Sequence, residues 1–258
     1  MILTIDIGNT NEVLGCVEEE QILFEARIAT DHIKTSDQYC AELKTMLELF
    51  RVDVRDIEGT IISSVVPPVL NSFVTAIKKL TGKTSLVVGP GIRTGLNILV
   101  DNPAQTGADL VVAAVAALRE HRPPLIIVDM GTATTISVID ANGSLVGGCI
   151  CPGVKISMEA LTTRTAQLPG ISLDQPRRAI GRNTIDCMRS GIMLGTACML
   201  DGLIERMEAE LGGKSTVLLT GGIGKFVMPL CRTAMIYDGD LLIKGLAALY
   251  KENKKALG

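Results

Sequence analysis

Ile2-Leu3-Thr4-Ile5-Asp6-Ile7-Gly8-Asn9-Thr10 and Leu125-Ile126-Ile127-Val128-Asp129-Met130-Gly131-Thr132-Ala133-Thr134-Thr135 are one phrase written twice. In each copy an apolar β-run delivers an aspartate, a glycine follows after one residue, and a hydroxyl-rich turn closes the unit. The two aspartates stand nearly half of the 258-residue chain apart. The repeat predicts a duplicated α/β domain with two polar loops facing one cleft.

The segments around each copy run in the same order. After the first come alternating stretches at Glu12–Glu18 and Gln21–Ile28, completing a β-meander, then helical spacing over Thr35–Phe50 with Tyr39, Leu43, Met46, Leu47 and Phe50 on one face. Gly59–Val65 reads as a buried strand ending at Pro67-Pro68, followed by a helix over Val69–Leu80 and a strand over Thr84–Val88. Asp109–His121 is apolar on nearly every side, as a buried helix is. After the second copy, Thr134–Asp140 and Leu145–Cys151 form strands across the Ala141-Asn142-Gly143 turn. Helices follow at Ser157–Leu161 and Thr184–Leu211, the latter interrupted at a glycine, then a strand at Ser215–Leu219 and a last helix at Gly239–Lys254. The expected boundary lies near Arg122-Pro123-Pro124, which gives domains 1–122 and 123–258.

Composition narrows the function. With 47% hydrophobic and 21% charged residues, the chain has an ordinary globular balance. A net charge of −3 and no Trp give neither a phosphate-neutralising surface nor base-stacking platforms, so no nucleic-acid partner is expected. No apolar run approaches the roughly 20 residues that span a bilayer, and the N-terminus lacks a signal-peptide pattern. The expected setting is cytoplasmic, with no membrane partner. The seven cysteines are odd in number and read as reduced thiols; Cys149-x-Cys151 is too isolated for a structural zinc site.

The chemistry sits in the turns. A strand–Asp–x–Gly–x–Thr turn suits phosphate and metal, because glycine lets the backbone approach a ligand and offers N–H donors. Aspartate suits Mg²⁺, which prefers oxygen ligands and retains water. There is no Gly-x-x-x-x-Gly-Lys-Ser/Thr loop, so any nucleotide bound here is held without a Walker lysine. Thr220-Gly221-Gly222 reads either as a surface against adenosine or as a plain strand-to-helix turn. Ile180-Gly181-Arg182-Asn183-Thr184 reads as a cap for the long helix, with Asn183 or Thr184 at its start. Asp109, after Gly107-Ala108, has two readings: a base that takes the proton of an attacking hydroxyl, or an acid favoured by the helix dipole.

As an ordered set, these segments resemble the type III pantothenate kinases, also called the Bvg accessory factor family, within the acetate kinase, sugar kinase, Hsp70 and actin superfamily. The resemblance spans the whole chain. It rests on Asp6 to Thr10, Ser63-Ser64-Val65-Val66-Pro67, Asn102-Pro103 with Gly107-Ala108-Asp109, and Asp129 to Thr135. It continues through Gly147-Gly148 with Pro152-Gly153, Thr165-Ala166-Gln167-Leu168-Pro169, Gly181 to Thr184, and Thr220-Gly221-Gly222.

The resemblance implies two actin-like (ribonuclease H-like) domains, each a mixed five-stranded sheet with flanking helices, and a nucleotide cleft between them. It implies ATP-dependent phosphorylation of pantothenate to 4′-phosphopantothenate by a homodimer, as the first step of coenzyme A biosynthesis. Asp109 would be the base. Asp6, Ile7, Gly8, Asn9, Thr10, Asn11, Glu12, Val13 and Thr132 would handle ATP and its phosphates, with Asp6 on Mg²⁺. Asp129 would hold a monovalent cation, K⁺ or NH₄⁺. Val100, Gly107, Ala108, Asp109, Leu110 and Thr184 would line the pantothenate pocket.

The chain departs from the family pattern Gly-x-Asp-Arg at Leu110, and at Val100 and Ala113, where Tyr and Asn are usual. The missing arginine pairs with the pantothenate carboxylate in the implied scheme, and leaving such a charge unpaired costs about 2–5 kcal/mol. Three readings follow: another arginine such as Arg93 or Arg164 supplies the charge, the substrate is a different hydroxyl compound, or the chain is a nucleotide-binding regulatory paralogue.

Overall fold

Alternation along the first quoted phrase sorts its side chains onto two faces. In the computed structural model, which describes residues 1–254, Leu3, Ile5 and Ile7 of β1 (Ile2–Ile7) enter one core. Ile2, Thr4 and Asp6 point the other way. β1 pairs antiparallel with β2 (Asn11–Glu18), which pairs with β3 (Gln21–Ala29). On its other side β1 runs parallel to β4 (Gly59–Ser64), and β4 to the short β5 (Leu86–Val87), giving the order β3-β2-β1-β4-β5. The five-stranded sheet is as expected.

Two helices cover its first face. α1 (Ser36–Leu49) starts with a capping box, in which the Gln38 N–H donates to Thr35 Oγ1 and the Thr35 N–H donates to Gln38 Oε1 at 2.8 Å. It buries Tyr39, Leu43 and Leu47. α2 (Pro67–Thr81) begins at the two prolines that were expected to lie ahead of it. Their missing N–H groups fall where a first helical turn has no intrahelical acceptor, so they open the helix instead of separating it from β4. Tyr39 of α1 meets Phe73 of α2 at 4.3 Å between ring centres.

The opposite face is covered by α3 (Ala108–Glu120) and α8 (Leu241–Asn253), whose Val112, Val115, Leu246 and Leu249 pack with Ile2 and Ile61. Gly245 lies against the Val112 carbonyl, where a Cβ would come to 2.3 Å, and Arg119 pairs with Glu252 at 3.3 Å. Those two contacts share one offset, so α3 and α8 run side by side in the same direction.

The second sheet repeats the plan. β7 (Leu125–Met130) pairs antiparallel with β8 (Ala133–Ile139), β8 with β9 (Ser144–Pro152), and β7 runs parallel to β10 (Thr216–Thr220), next to β11 (Ile236–Tyr237). Thus β9-β8-β7-β10-β11 mirrors β3-β2-β1-β4-β5. A sixth strand, β6 (Asn97–Ile98), adds to the β9 edge, one more than expected. It comes from a stretch without apolar alternation and is held by edge hydrogen bonds, including Leu99 N–H to the Leu145 carbonyl at 2.8 Å. α4 (Val154–Arg164) follows β9, and the short α7 (Gly224–Val227) follows β10.

The long helical stretch is continuous. α5 (Thr184–Arg189) passes through a π-turn at Ser190–Leu194 into α6 (Gly195–Leu211), so the interruption expected at a glycine is a bulge holding Gly191. By length and composition Thr184–Leu211 passes for a membrane span. Its Ile192, Met193, Ala197, Leu200 and Ile204 are instead buried against the second sheet.

The chain divides into two units. One holds Met1–Leu96, Asn102–Arg119 and the described residues from Asp240 on; the other holds Asn97–Asp101 and Glu120–Gly239. The main division falls close to Arg122. β6 and α8 sit with the half opposite to their place in the sequence.

Glu12 is the conspicuous polar group of the first core. It lies opposite Ile7, fully buried, and its Oε1 accepts a 2.8 Å hydrogen bond from the Tyr39 hydroxyl while its Oε2 has no partner. Burial pushes its pKa up from 4.5 to about 7, opposed by the Tyr39 hydrogen bond and by Lys34, with Glu42 and Asp31 adding to the rise. The folded chain therefore holds this proton more tightly than the unfolded chain does. The stabilisation is complete below about pH 4.5 and is lost as pH rises through about 7. Glu12→Gln should melt above the wild type at about pH 8, with the gap closing towards about pH 5; melting curves that stay parallel across that range would contradict the assignment.

Candidate functional site

Both quoted turns are built alike. In the first, the Gly8 N–H donates to the Asn11 carbonyl at 3.0 Å, which reverses the chain from β1 into β2. Thr30 fastens the turn from the end of β3: its hydroxyl donates to the Gly8 carbonyl at 2.7 Å and its N–H to the Thr10 carbonyl at 3.0 Å. In the second, the Gly131 N–H donates to the Ala133 carbonyl at 3.0 Å. Asn9, Thr10, Asn11 and Thr132 are exposed, while Asp6 and Asp129 are half-buried at the strand ends.

Two further loops of the second unit close on its turn. Gly153, which begins α4, would place a Cβ 2.1 Å from the Thr132 carbonyl oxygen. Gly221, at φ +90°, would place one 2.5 Å from the Met130 carbonyl oxygen. Both positions require glycine, one for space and the other for space and backbone angle. Gly221 is further held by the Tyr237 hydroxyl, which donates to its carbonyl at 3.3 Å. Thr220-Gly221-Gly222 is therefore a wall of the Asp129 turn.

Asp109 is a half-buried acid in the first turn of α3, and its Oδ1 accepts the Leu110 N–H at 2.9 Å. Burial raises its pKa above the ordinary carboxylate value, against the lowering effect of that backbone hydrogen bond. α3 and α8 both run antiparallel to β1 and β4. Ile243 of α8 lies by Gly15 opposite Thr4, and Tyr250 lies by Gly59 at the start of β4. The first turn of α3 therefore lies at the C-terminal end of β1 and β4, on the face that carries Asp6. The first unit thus gathers Asp6 and Asp109 at one end of one face.

The other sequence-picked residues divide between the units. Ile7 is wholly in the core, and Val13 faces the α8 side. With Glu12 turned into the core, Ile7 and Glu12 have only backbone groups to offer a phosphate. Gly107 and Ala108 lead into Asp109 on the first unit. Asp129, Thr132, Val100 and Thr184 belong to the second unit. Asn183, not Thr184, caps α5, accepting the Asp186 N–H at 2.9 Å, which leaves Thr184 exposed.

Ser63 escaped the sequence reading of the site. It ends β4 directly opposite Asp6, fully buried, and its Oγ has no hydrogen-bond partner. The available signal was a hydroxyl two residues after Ile61, on the face that brings Asp6 to the turn.

A type III pantothenate kinase of Exiguobacterium sibiricum is 45% identical over 254 residues, covering 98% of this chain and all of the relative. One from Halalkalibacterium halodurans is 43% identical over 253 residues, again 98% of this chain and all of the relative. Component A of the Acidaminococcus fermentans (R)-2-hydroxyglutaryl-CoA dehydratase superposes with a TM-score of 0.59 at 16% identity, over 100% of this chain and 99% of its own. At that identity the likeness speaks to the fold, and it agrees with the actin-like doubling seen in the two sheets. The family model for type III pantothenate kinases matches residues 2–206, so the chain that carries these paired Asp-x-Gly turns belongs to that family.

Proposed function

We propose that the chain transfers the γ-phosphoryl group of ATP to the primary hydroxyl of pantothenate, giving 4′-phosphopantothenate at the first step of coenzyme A biosynthesis. Family membership supplies the reaction, and the placement of Asp109 at the Asp6 end of its sheet carries the assignment of roles. A half-buried carboxylate with a raised pKa is a better proton acceptor than a solvated one, so Asp109 takes the proton of the attacking hydroxyl.

Asp6 and the turn from Gly8 to Asn11 receive phosphate through backbone N–H groups and hydroxyls, and Thr132 offers the same kind of donor on the turn of the second unit. The Asp6 carboxylate and the partnerless Ser63 hydroxyl opposite it are oxygen groups of the kind Mg²⁺ prefers. When bound, that ion neutralises charge developing on the phosphates. Asp129 takes the monovalent cation, K⁺ or NH₄⁺. Catalysis rests on positioning and charge, as phosphoryl transfer requires.

The pantothenate carboxylate needs a cation that Leu110 cannot be. Arg93 is placed poorly for it: Asn253, at the far end of α8, accepts its N–H at 2.9 Å. The offset between α3 and α8 sets Asp109 level with Leu242, about 16 Å away along the helix at 1.5 Å per residue. Arg164, at the end of α4, belongs to the second unit.

The second unit also carries an apolar surface suited to a second copy of the chain. Ile150, Ile156, Leu161, Ile180 and Ile185 are exposed, and a cavity of about 700 Å³ is lined by Pro152, Leu161, Met188, Ile192 and Met199 among others. A homodimer would cover it. Sedimentation should give twice the 27.4 kDa chain mass, and Ile150→Asp should shift the chain to monomer; a wild-type monomer at micromolar concentration would contradict the dimer.

ADP release with pantothenate, Mg²⁺ and K⁺ tests the activity. Asp109→Asn should lower kcat by about 100-fold or more, while Leu110→Arg should lower the pantothenate KM by about tenfold or more. No turnover at millimolar pantothenate would overturn the reading in favour of a regulatory paralogue or another hydroxyl substrate.

A further inference from the structure

Ser63 has a geometry that packing does not explain. Its side chain is fully buried at the end of β4, and its Oγ has no hydrogen-bond partner. A buried hydroxyl in that condition is destabilising, and folded chains keep few of them without a use. The next residue shows the ordinary arrangement: Ser64 Oγ accepts the Val66 N–H at 3.0 Å, helping the strand turn into α2. On the Ser63 face the neighbouring positions Ile2 and Ile61 are apolar and pack against α3 and α8. An alanine or valine would satisfy that packing without leaving a polar atom alone.

What sets Ser63 apart is its register. β1 and β4 pair in parallel with Ser63 directly opposite Asp6, so the two side chains leave adjacent strands on the same face. The second unit repeats the arrangement, with Asp129 on β7 directly opposite the buried Thr220 on β10. Each Asp-x-Gly turn therefore has a buried hydroxyl on the parallel neighbouring strand. The duplicated fold has kept the pair of groups along with the turn.

We propose that Ser63 is a positioning residue for the phosphate-and-Mg²⁺ end of the site, its hydroxyl oxygen accepting a hydrogen bond from a water of the hydrated ion that Asp6 holds. Mg²⁺ sheds its waters reluctantly and makes them stronger donors, so an acceptor just behind its carboxylate ligand orients the hydrated ion without touching it. The role rests on the reading of Asp6 as the Mg²⁺ and phosphate residue. The orphaned Oγ is the acceptor that the nucleotide-bound state satisfies.

Calorimetric titration of ADP in the presence and absence of Mg²⁺, with melting curves of the unliganded chain, tests this. Ser63→Ala should melt at or above the wild-type temperature, because it removes an unsatisfied group. Its affinity for Mg·ADP should fall about tenfold, the loss of one hydrogen bond to a charged assembly, with affinity in EDTA unchanged. Ser63→Thr keeps the hydroxyl and should restore the Mg²⁺-dependent affinity. Ser63→Cys keeps nearly the same size with a weak acceptor and should reproduce the loss, so the test stands even if the alanine variant does not fold. Wild-type Mg·ADP affinity in the Ala and Cys variants, or an equal loss with and without Mg²⁺, would overturn the role of Ser63. Unchanged Mg²⁺ dependence in Asp6→Asn would instead overturn the reading of Asp6 on which it rests.

Discussion

One backbone hydrogen bond sets each Asp-x-Gly turn: Gly8 N–H to the Asn11 carbonyl in one unit, Gly131 N–H to the Ala133 carbonyl in the other. Each reverses the chain immediately after a buried parallel strand, which leaves an aspartate half-buried at the strand end and the following residues exposed. Neighbouring loops lie so close to the backbone of the second turn that Gly153 and Gly221 admit no Cβ. The consequence is a backbone that approaches whatever the turn binds, with N–H groups leading. In the proposed reaction such turns hold phosphate without a Walker lysine.

Charge is distributed to match. Asp6 and Asp109 share one end of one face in the first unit, where burial makes Asp109 reluctant to ionise and so suits it to accept a proton. Two carboxylates close to an anionic nucleotide would be unfavourable without cations, so the account requires metal and monovalent ions as structural partners of the reaction. Leu110 then stands out as a neutral residue where the second substrate needs a counter-charge. In the proposed reading, the separation of Arg93 from Asp109 along α8 leaves that arginine poorly placed to supply the charge.

Much of this was legible in the sequence. β1, β2, β3, β7, β8 and β10 each fall within two residues of their expected limits, because alternation and terminal turn residues agree there. The duplication of sheet order follows from the repeated phrase. Pro67-Pro68 misled, because the same residue type that breaks a helix interior also favours its first turn. β6 lacked any periodic signal, since two residues on a sheet edge need only backbone groups. The residence of α8 with the first unit was illegible because helix amphipathicity says which face is buried and not against which sheet. At the site, Asp6, Asp109 and Asp129 were visible as acids at strand and helix ends. Glu12 was expected among the phosphate contacts, yet strand alternation turns it towards Tyr39. Ser63 was invisible because its significance lies in register with a strand more than fifty residues away.

The central claim is that the two turns divide the ionic work, Asp6 for Mg²⁺ and Asp129 for the monovalent cation. The most direct measurement is nucleotide affinity titrated against Mg²⁺ and against K⁺ in wild type, Asp6→Asn and Asp129→Asn. The account predicts that Asp6→Asn loses the Mg²⁺ response and keeps the K⁺ response, and that Asp129→Asn does the reverse. Loss of both responses in either variant, or retention of the K⁺ response in Asp129→Asn, would contradict it.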